Sequence, residues 1–255
     1  MVHWFESPFP LVPTPFAALK EGEKEDVFIK TATEMTLAHN LLIRGLNSIH
    51  CQAPHVKPAE QLAFVGYAQN FVNVLKVHHA CEEETFFAEV ERMAGEPGIM
   101  DKNVEEHHAF HGGLDALDRY LAGVARGAEA YNGGRIVDII DHFGPGLSEH
   151  LREEIQTLLE LKRFGPERMK GLADALIAEG KENLNKIGLA GGAVYAFLGH
   201  DKTWENGIWA DFPPTPPGLK TIVMRGLYYW HAAWWKFSPC DQNFMPKPEP
   251  YARPE

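Results

Sequence analysis

The chain has 255 residues, of which 45% are hydrophobic and 23% charged, and its net charge is -11 with histidines neutral. That length and composition support a globular protein with a sizeable core. The acidic balance argues against nucleic acid and anionic membranes as partners, because both select basic surfaces. Three cysteines, Cys51, Cys81 and Cys240, do not make a disulfide framework. No apolar run reaches the roughly 18 residues of a membrane span. The opening Met-Val-His-Trp-Phe-Glu lacks the basic and apolar parts of a secretory signal, so a cytoplasmic protein is expected.

Residues 1–25 are rich in proline and aromatics. Pro8, Pro10, Pro13 and Pro15 alternate with Phe5, Phe9 and Phe16, which predicts an extended arm whose aromatics pack onto something. From about Glu25 to Ser48 the apolar residues Phe28, Ala32, Met35, Leu42 and Leu46 recur at helical spacing. A second helix is expected from about Pro58 to Met93, ended by Gly95, Pro97 and Gly98. A third spans about Asp101 to Arg126. A fourth spans about Arg135 to Lys162, with a kink or break at Gly144-Pro145-Gly146. The predicted architecture is all-α, an up-down-up-down four-helix bundle over residues 26–165. A helical and aromatic extension, 166–255, is expected to pack on it. A fifth helical pattern runs from about Pro166 to Leu184. The stretch from Thr221 to Phe237 holds Tyr228, Tyr229, Trp230, Trp234, Trp235 and Phe237.

Each of the four bundle helices carries histidine, and three pair it with a second candidate ligand one turn away. These are His39, then His79 and Glu83, then His107 and His111, then His150 and Glu154. Residues i and i+4 share a helix face. Taken at about 100° per residue, His39, His79, His107, His111 and Glu154 fall on or beside the apolar stripes. Glu82 and Glu83 lie about equally far to either side of the second stripe, and His150 sits near the edge of the fourth. His78, His108, His142 and Glu153 point away from the core, and together with Glu82 they are read as solvated or supporting residues. A lone inward histidine is ordinarily a hydrogen-bonded core residue, and a lone His-x-x-x-Glu is ordinarily a surface pair. Seven such residues turned inward on four helices are different. Burying them unpartnered would cost many kcal/mol, and metal coordination turns that cost into a gain. Imidazoles and carboxylates inside a helical bundle suit a pair of iron ions, with manganese as the other candidate. Cys81 lies off the inward face, so a thiolate zinc site is not indicated.

These four motifs together resemble the hemerythrin-like, or HHE cation-binding, family over about Asp26 to Lys162. The segments Glu34-Met-Thr-Leu-Ala-His39-Asn, Phe143-Gly-Pro-Gly-Leu-Ser-Glu-His150 and Trp235-Lys-Phe-Ser-Pro-Cys-Asp241 look like its longer fungal branch. The resemblance implies a carboxylate-bridged non-haem iron pair. His107, His111 and His150 would bind one ion, His39 and His79 the other, and Glu83 and Glu154 would bridge them. The ion with fewer ligands would offer an open position to O2. The chain departs from the oxygen-carrier pattern at position 155, where an isoleucine stands in place of an aspartate, and Glu154 substitutes for it.

Two functional readings follow. One is an O2-activating oxidoreductase that acts on a small organic substrate, motivated by the aromatic segment near the C-terminus as possible pocket lining. The other is a non-enzymatic O2 carrier, iron store or sensor, motivated by a ligand set rich in histidine and poor in carboxylate. No motif in the chain names an electron donor.

Overall fold

The computed structural model describes residues 3–254. Among them there is no strand, only an isolated bridge between Cys240 and Pro246. The bundle comprises α1 (Val27–Gln52), α2 (Gln61–Cys81), α3 (Phe87–Ala94), α4 (Asp101–Ala125) and α5 (Gly133–Glu160). Helices α2 and α3 are joined by a π-helical turn, Glu82–Phe86, in which the Phe87 amide donates to the Glu82 carbonyl five residues back. What reads as a single second helix therefore contains one widened turn. No helix among the described residues is long and apolar enough to cross a membrane.

Local signals set the ends. Asp26 caps α1 by accepting from the amides of Phe28 at 3.0 Å and Ile29 at 2.8 Å. Asn132 caps α5 through the Arg135 amide at 3.1 Å. Gly95, at φ 61°, supplies the left-handed residue that ends α3. Around the bundle α1 packs on α5, α5 on α4 and α4 on α2. The remaining seam, between α1 and α2, is flanked by α6 (Leu172–Ile187), which touches both. Helix α6 starts later than the Pro166 expected, because residues 166–171 form turns. Two short helices follow, α7 (Val194–Gly199) and α8 (Leu219–Arg225).

The expected break at Gly144-Pro145-Gly146 does not occur, since α5 runs through Pro145. The arm gives a physical reason. Phe9 lies over Gly144 so closely that a Cβ there would come within 2.3 Å of its ring, and this packing holds the helix where proline removes an amide. The arm runs along α1. Asn47 accepts from the Phe9 amide at 3.0 Å and donates to the carbonyls of Phe5 and Phe9. Asn40, two turns earlier, exchanges bonds with the amide and carbonyl of Val12 at 2.9 and 2.8 Å.

The aromatic segment divides. Trp235 and Phe237 are buried, with Phe237 against Phe64 at 5.0 Å and both rings near Tyr67. Trp230 is 75% exposed. These rings cover the start of α2, whose residues 64–67 lie roughly 20 Å along the helix from His79 at 1.5 Å per residue. They seal the outside of the bundle and do not line its histidine-bearing end.

Candidate metal centre

Helix α1 delivers His39, α2 delivers His78 and His79, and the π turn delivers Glu82 and Glu83. Helix α4 delivers His107 and His111, and α5 delivers His150 and Glu154. His39, His79, Glu82, His107, His150 and Glu154 are all at most 1% exposed. Ligand atoms of His79, Glu82, His107 and His150 converge within 4.8 Å of one another, as do those of His39, His78 and Glu82. Glu82 belongs to both groups. Glu154 reaches between helices, 3.4 Å from His39 Nε2 and 3.7 Å from His150 Nε2.

The structure brings together five of the seven residues singled out from the sequence: His39, His79, His107, His150 and Glu154. It places Glu83 elsewhere, 31% exposed and bonded to the outer nitrogen of His107 at 2.6 Å. His111 lies at the margin, its ring 6.3 Å from that of His79 and its Nε2 buried without a partner. Glu82 and His78, read from the sequence as outside the site, are inside it. Straight-helix arithmetic leaves Glu82 and Glu83 nearly equivalent, and the π turn that begins at Glu82 breaks that tie.

An outer set of acceptors orients the rings. The Nδ1–H of His39 donates to the Leu151 carbonyl at 2.7 Å, that of His107 to Glu83 at 2.6 Å and that of His150 to Glu106 at 3.0 Å. His78 Nδ1 lies 3.4 Å from Glu179 on α6. Carboxylates or carbonyls on the outer nitrogen are how ligand histidines are usually held, with Nε2 left free to coordinate. Glu106, half-buried beside His107 in the chain, is not singled out by helical spacing.

The consequence is sharpest at His107 and His150, whose Nε2 atoms lie 2.9 Å apart. With both Nδ1 protons committed to carboxylates, both Nε2 atoms carry lone pairs aimed at each other. A proton between them is disfavoured, because burial and the neighbouring His107 push His150 down to about 2. A shared cation resolves the conflict.

The remaining electrostatics agree. Burial lowers His39 and His107 and drives His79 well below its ordinary range. Burial opposes charge on His78 as well, but Glu82 and Glu179 outweigh it and hold that imidazole well above its usual value. Burial would likewise raise Glu82, yet His78 and His39 hold it well below the carboxylate range. Burial first, then Glu82, keeps Glu154 far above that range. His39 Nε2, both nitrogens of His79 and both oxygens of Glu82 and of Glu154 are buried without hydrogen-bond partners. Native proteins leave few such atoms. Here they converge, and the donor set fits metal ions.

Residues 31–161 match the hemerythrin HHE cation binding domain. The chain belongs to that family. The resemblance carried by the histidine spacing is thus borne out, as is the all-α bundle with added C-terminal helices. The chain is also similar to a protein of Cryptosporiopsis sp. (strain 8999), "Dimeric xanthone biosynthesis cluster protein R11". The two are 32% identical over 96% of this chain and 92% of that protein. No solved structure matches. Within this HHE protein the matched segment stops before α6, so Glu179 reaches the centre from outside the family domain.

Proposed function

We propose that this HHE protein holds two iron ions, binds O2 and uses it to oxidise a small organic molecule. The observation that carries the reading is the asymmetry of the centre. One position draws on His79, Glu82, His107 and His150, whereas the other draws on His39, His78 and Glu82 and has fewer protein donors. Glu82, shared by both groups, and Glu154, 3.4 Å from His39 Nε2 and 3.7 Å from His150 Nε2, would help to hold the ions. Manganese would satisfy the same donors.

A reduced iron pair would supply the electrons and the Lewis acidity that reduction of O2 requires. The chain's own residues do the rest. Leu151, Glu83 and Glu106 hold three imidazoles with Nε2 inward. Phe87 stacks on His107 with ring centroids 5.9 Å apart, and Phe110 lies 5.6 Å from His150, which keeps bulk water from the inner nitrogens. The similarity to a biosynthetic-cluster protein along nearly the whole chain favours action on a small molecule over plain carriage.

The second reading, reversible O2 binding, storage or sensing, is favoured by the excess of histidine over carboxylate. The two separate in one experiment. The iron-loaded, reduced protein is mixed with O2 and followed by absorbance and by an O2 electrode. Consumption of O2 that a small organic molecule accelerates is the outcome expected for oxidation. A spectral change fully reversed under vacuum would favour carriage.

A further inference from the structure

We infer that a cavity at the seam of α1, α2, α6 and α7 binds a single-ring phenol beside the His39–His78–Glu82 side of the centre. This deepens the oxidative reading and rests on it for its purpose, though the binding itself does not. The cavity measures about 190 Å³, and His78 forms part of its wall. Much of the rest is hydrocarbon: Leu41 and Leu42 from α1, Val74 from α2, Leu184 from α6 and the ring of Phe212. Ala38, Gly180, Gly192 and Ala196 also line it, and their small size leaves the space open. An apolar cavity of roughly 150 Å³ accommodates benzene, so this one suits one substituted ring. Apolar pockets with a few polar groups are the usual form of small-molecule sites.

Of the polar groups in the wall other than His78, the Tyr195 hydroxyl already donates to the Leu41 carbonyl at 3.1 Å, and the one left without a partner is on Asn183. Its amide nitrogen donates to Glu179, which only accepts. The amide oxygen is left over: it is buried with no partner among the described residues, in a residue that lines the cavity. An occupant with a hydroxyl donor answers that vacancy, and an aromatic ring answers the walls. The same Glu179 lies against His78 Nδ1, and His78 Nε2 is 3.0 Å from Glu82. The occupant would thus lie against His78, itself a member of the centre. The extension supplies α6 and α7, so both the cavity and its polar group depend on residues outside the HHE domain.

The test uses the iron-loaded full chain, with 4-methylphenol and toluene as probes, titrated by calorimetry. Iron is measured by elemental analysis on the same samples. The expected result is saturable one-to-one binding of 4-methylphenol, with toluene about tenfold weaker for want of the hydroxyl. Asn183→Leu should abolish that preference. Ala196→Leu should weaken both probes at least about tenfold by filling the space, with iron content unchanged. Gly180→Leu, where a Cβ meets nothing within 4 Å, should do the same and guards against a folding defect in the first variant. Absence of saturable binding, or binding indifferent to Ala196→Leu and Gly180→Leu, overturns the assignment while leaving the metal reading standing. Probe binding to a protein that takes up no iron supports the cavity and sinks the metal reading instead.

Discussion

Glu82 and Glu83, adjacent in the chain, engage opposite nitrogens of the same ring: Glu82 Oε2 lies 3.6 Å from His107 Nε2, and Glu83 Oε1 lies 2.6 Å from its Nδ1. One faces the interior of the centre and the other holds the ring from behind.

Substitution should separate those roles. Glu82→Gln is expected to lose bound metal, because its carboxylate belongs to both ligand groups. Glu83→Gln should keep metal but bind it about 10–100-fold more weakly, the usual effect of removing an outer partner of a ligand histidine. Metal content after gel filtration, followed by competition with a chelator of known affinity, reads both. Equal and complete loss in the two variants would contradict the division.

The bundle and its family were legible in the sequence because period and histidine spacing carry them. His39, His107 and Glu154 sit on or beside apolar stripes of helices that stay regular near them, and His150 at the edge of one. Glu82 was not legible. The π turn rotates the chain where two carboxylates straddle the stripe, and no residue type announces that turn. His78 was missed for a related reason: it is off the stripe of α2, yet α6 covers that side, and its pairing with Glu179 spans 101 residues. Helical periodicity reports which face of a helix is apolar. It does not report that a later helix will bury a polar one. The break expected at Pro145 failed similarly: α5 continues through it, and Phe9 closes on Gly144 from a segment more than 130 residues away.

Removing metal should lower stability. Stripped of ions, the centre leaves His39 Nε2, both nitrogens of His79 and both oxygens of Glu154 buried without hydrogen-bond partners, and ligand binding adds to folding free energy by mass action. Calorimetric scans with and without chelator should show a fall in Tm of several degrees at least, given about 2–4 °C per kcal/mol for a chain of this size. An unchanged Tm with metal verified as removed would argue that the cluster is stable without ions.

Away from the centre, His200 gives a pH test. It is buried, its Nε2–H donates to the Trp209 carbonyl at 2.7 Å, and burial together with Arg44 pushes it down to about 4. In the unfolded chain it takes up a proton near its ordinary value of 6.5. Between those values the unfolded state binds more protons, so stability falls as pH drops from about 6.5 toward 4, by about 2–3 kcal/mol from this group. His200→Gln keeps a donor for Trp209 but cannot titrate. Urea unfolding at pH 7 and pH 4.5 should show a smaller acid loss in the variant than in the parent, and equal losses would refute the assignment.

The arm should be held chiefly through α1. Asn47→Leu removes one bond accepted and two donated, all buried, and strands the Phe9 amide and the Phe5 and Phe9 carbonyls. A loss of about 2–4 kcal/mol is expected, together with faster proteolysis within residues 3–20 and no change in metal content. Limited digestion with mass spectrometry checks it, and an arm as resistant as the parent's would contradict this account.

The account turns on metal ions lying among His39, His79, Glu82, His107, His150 and Glu154. Crystals of iron-loaded protein, measured above and below the iron absorption edge, test that most directly. Two anomalous peaks are predicted, one within reach of His107 Nε2 and His150 Nε2 and one beside His39 Nε2, with Glu82 between them. Fully loaded crystals with no anomalous density at that position, and with those side chains bonded to one another or to water, would contradict it.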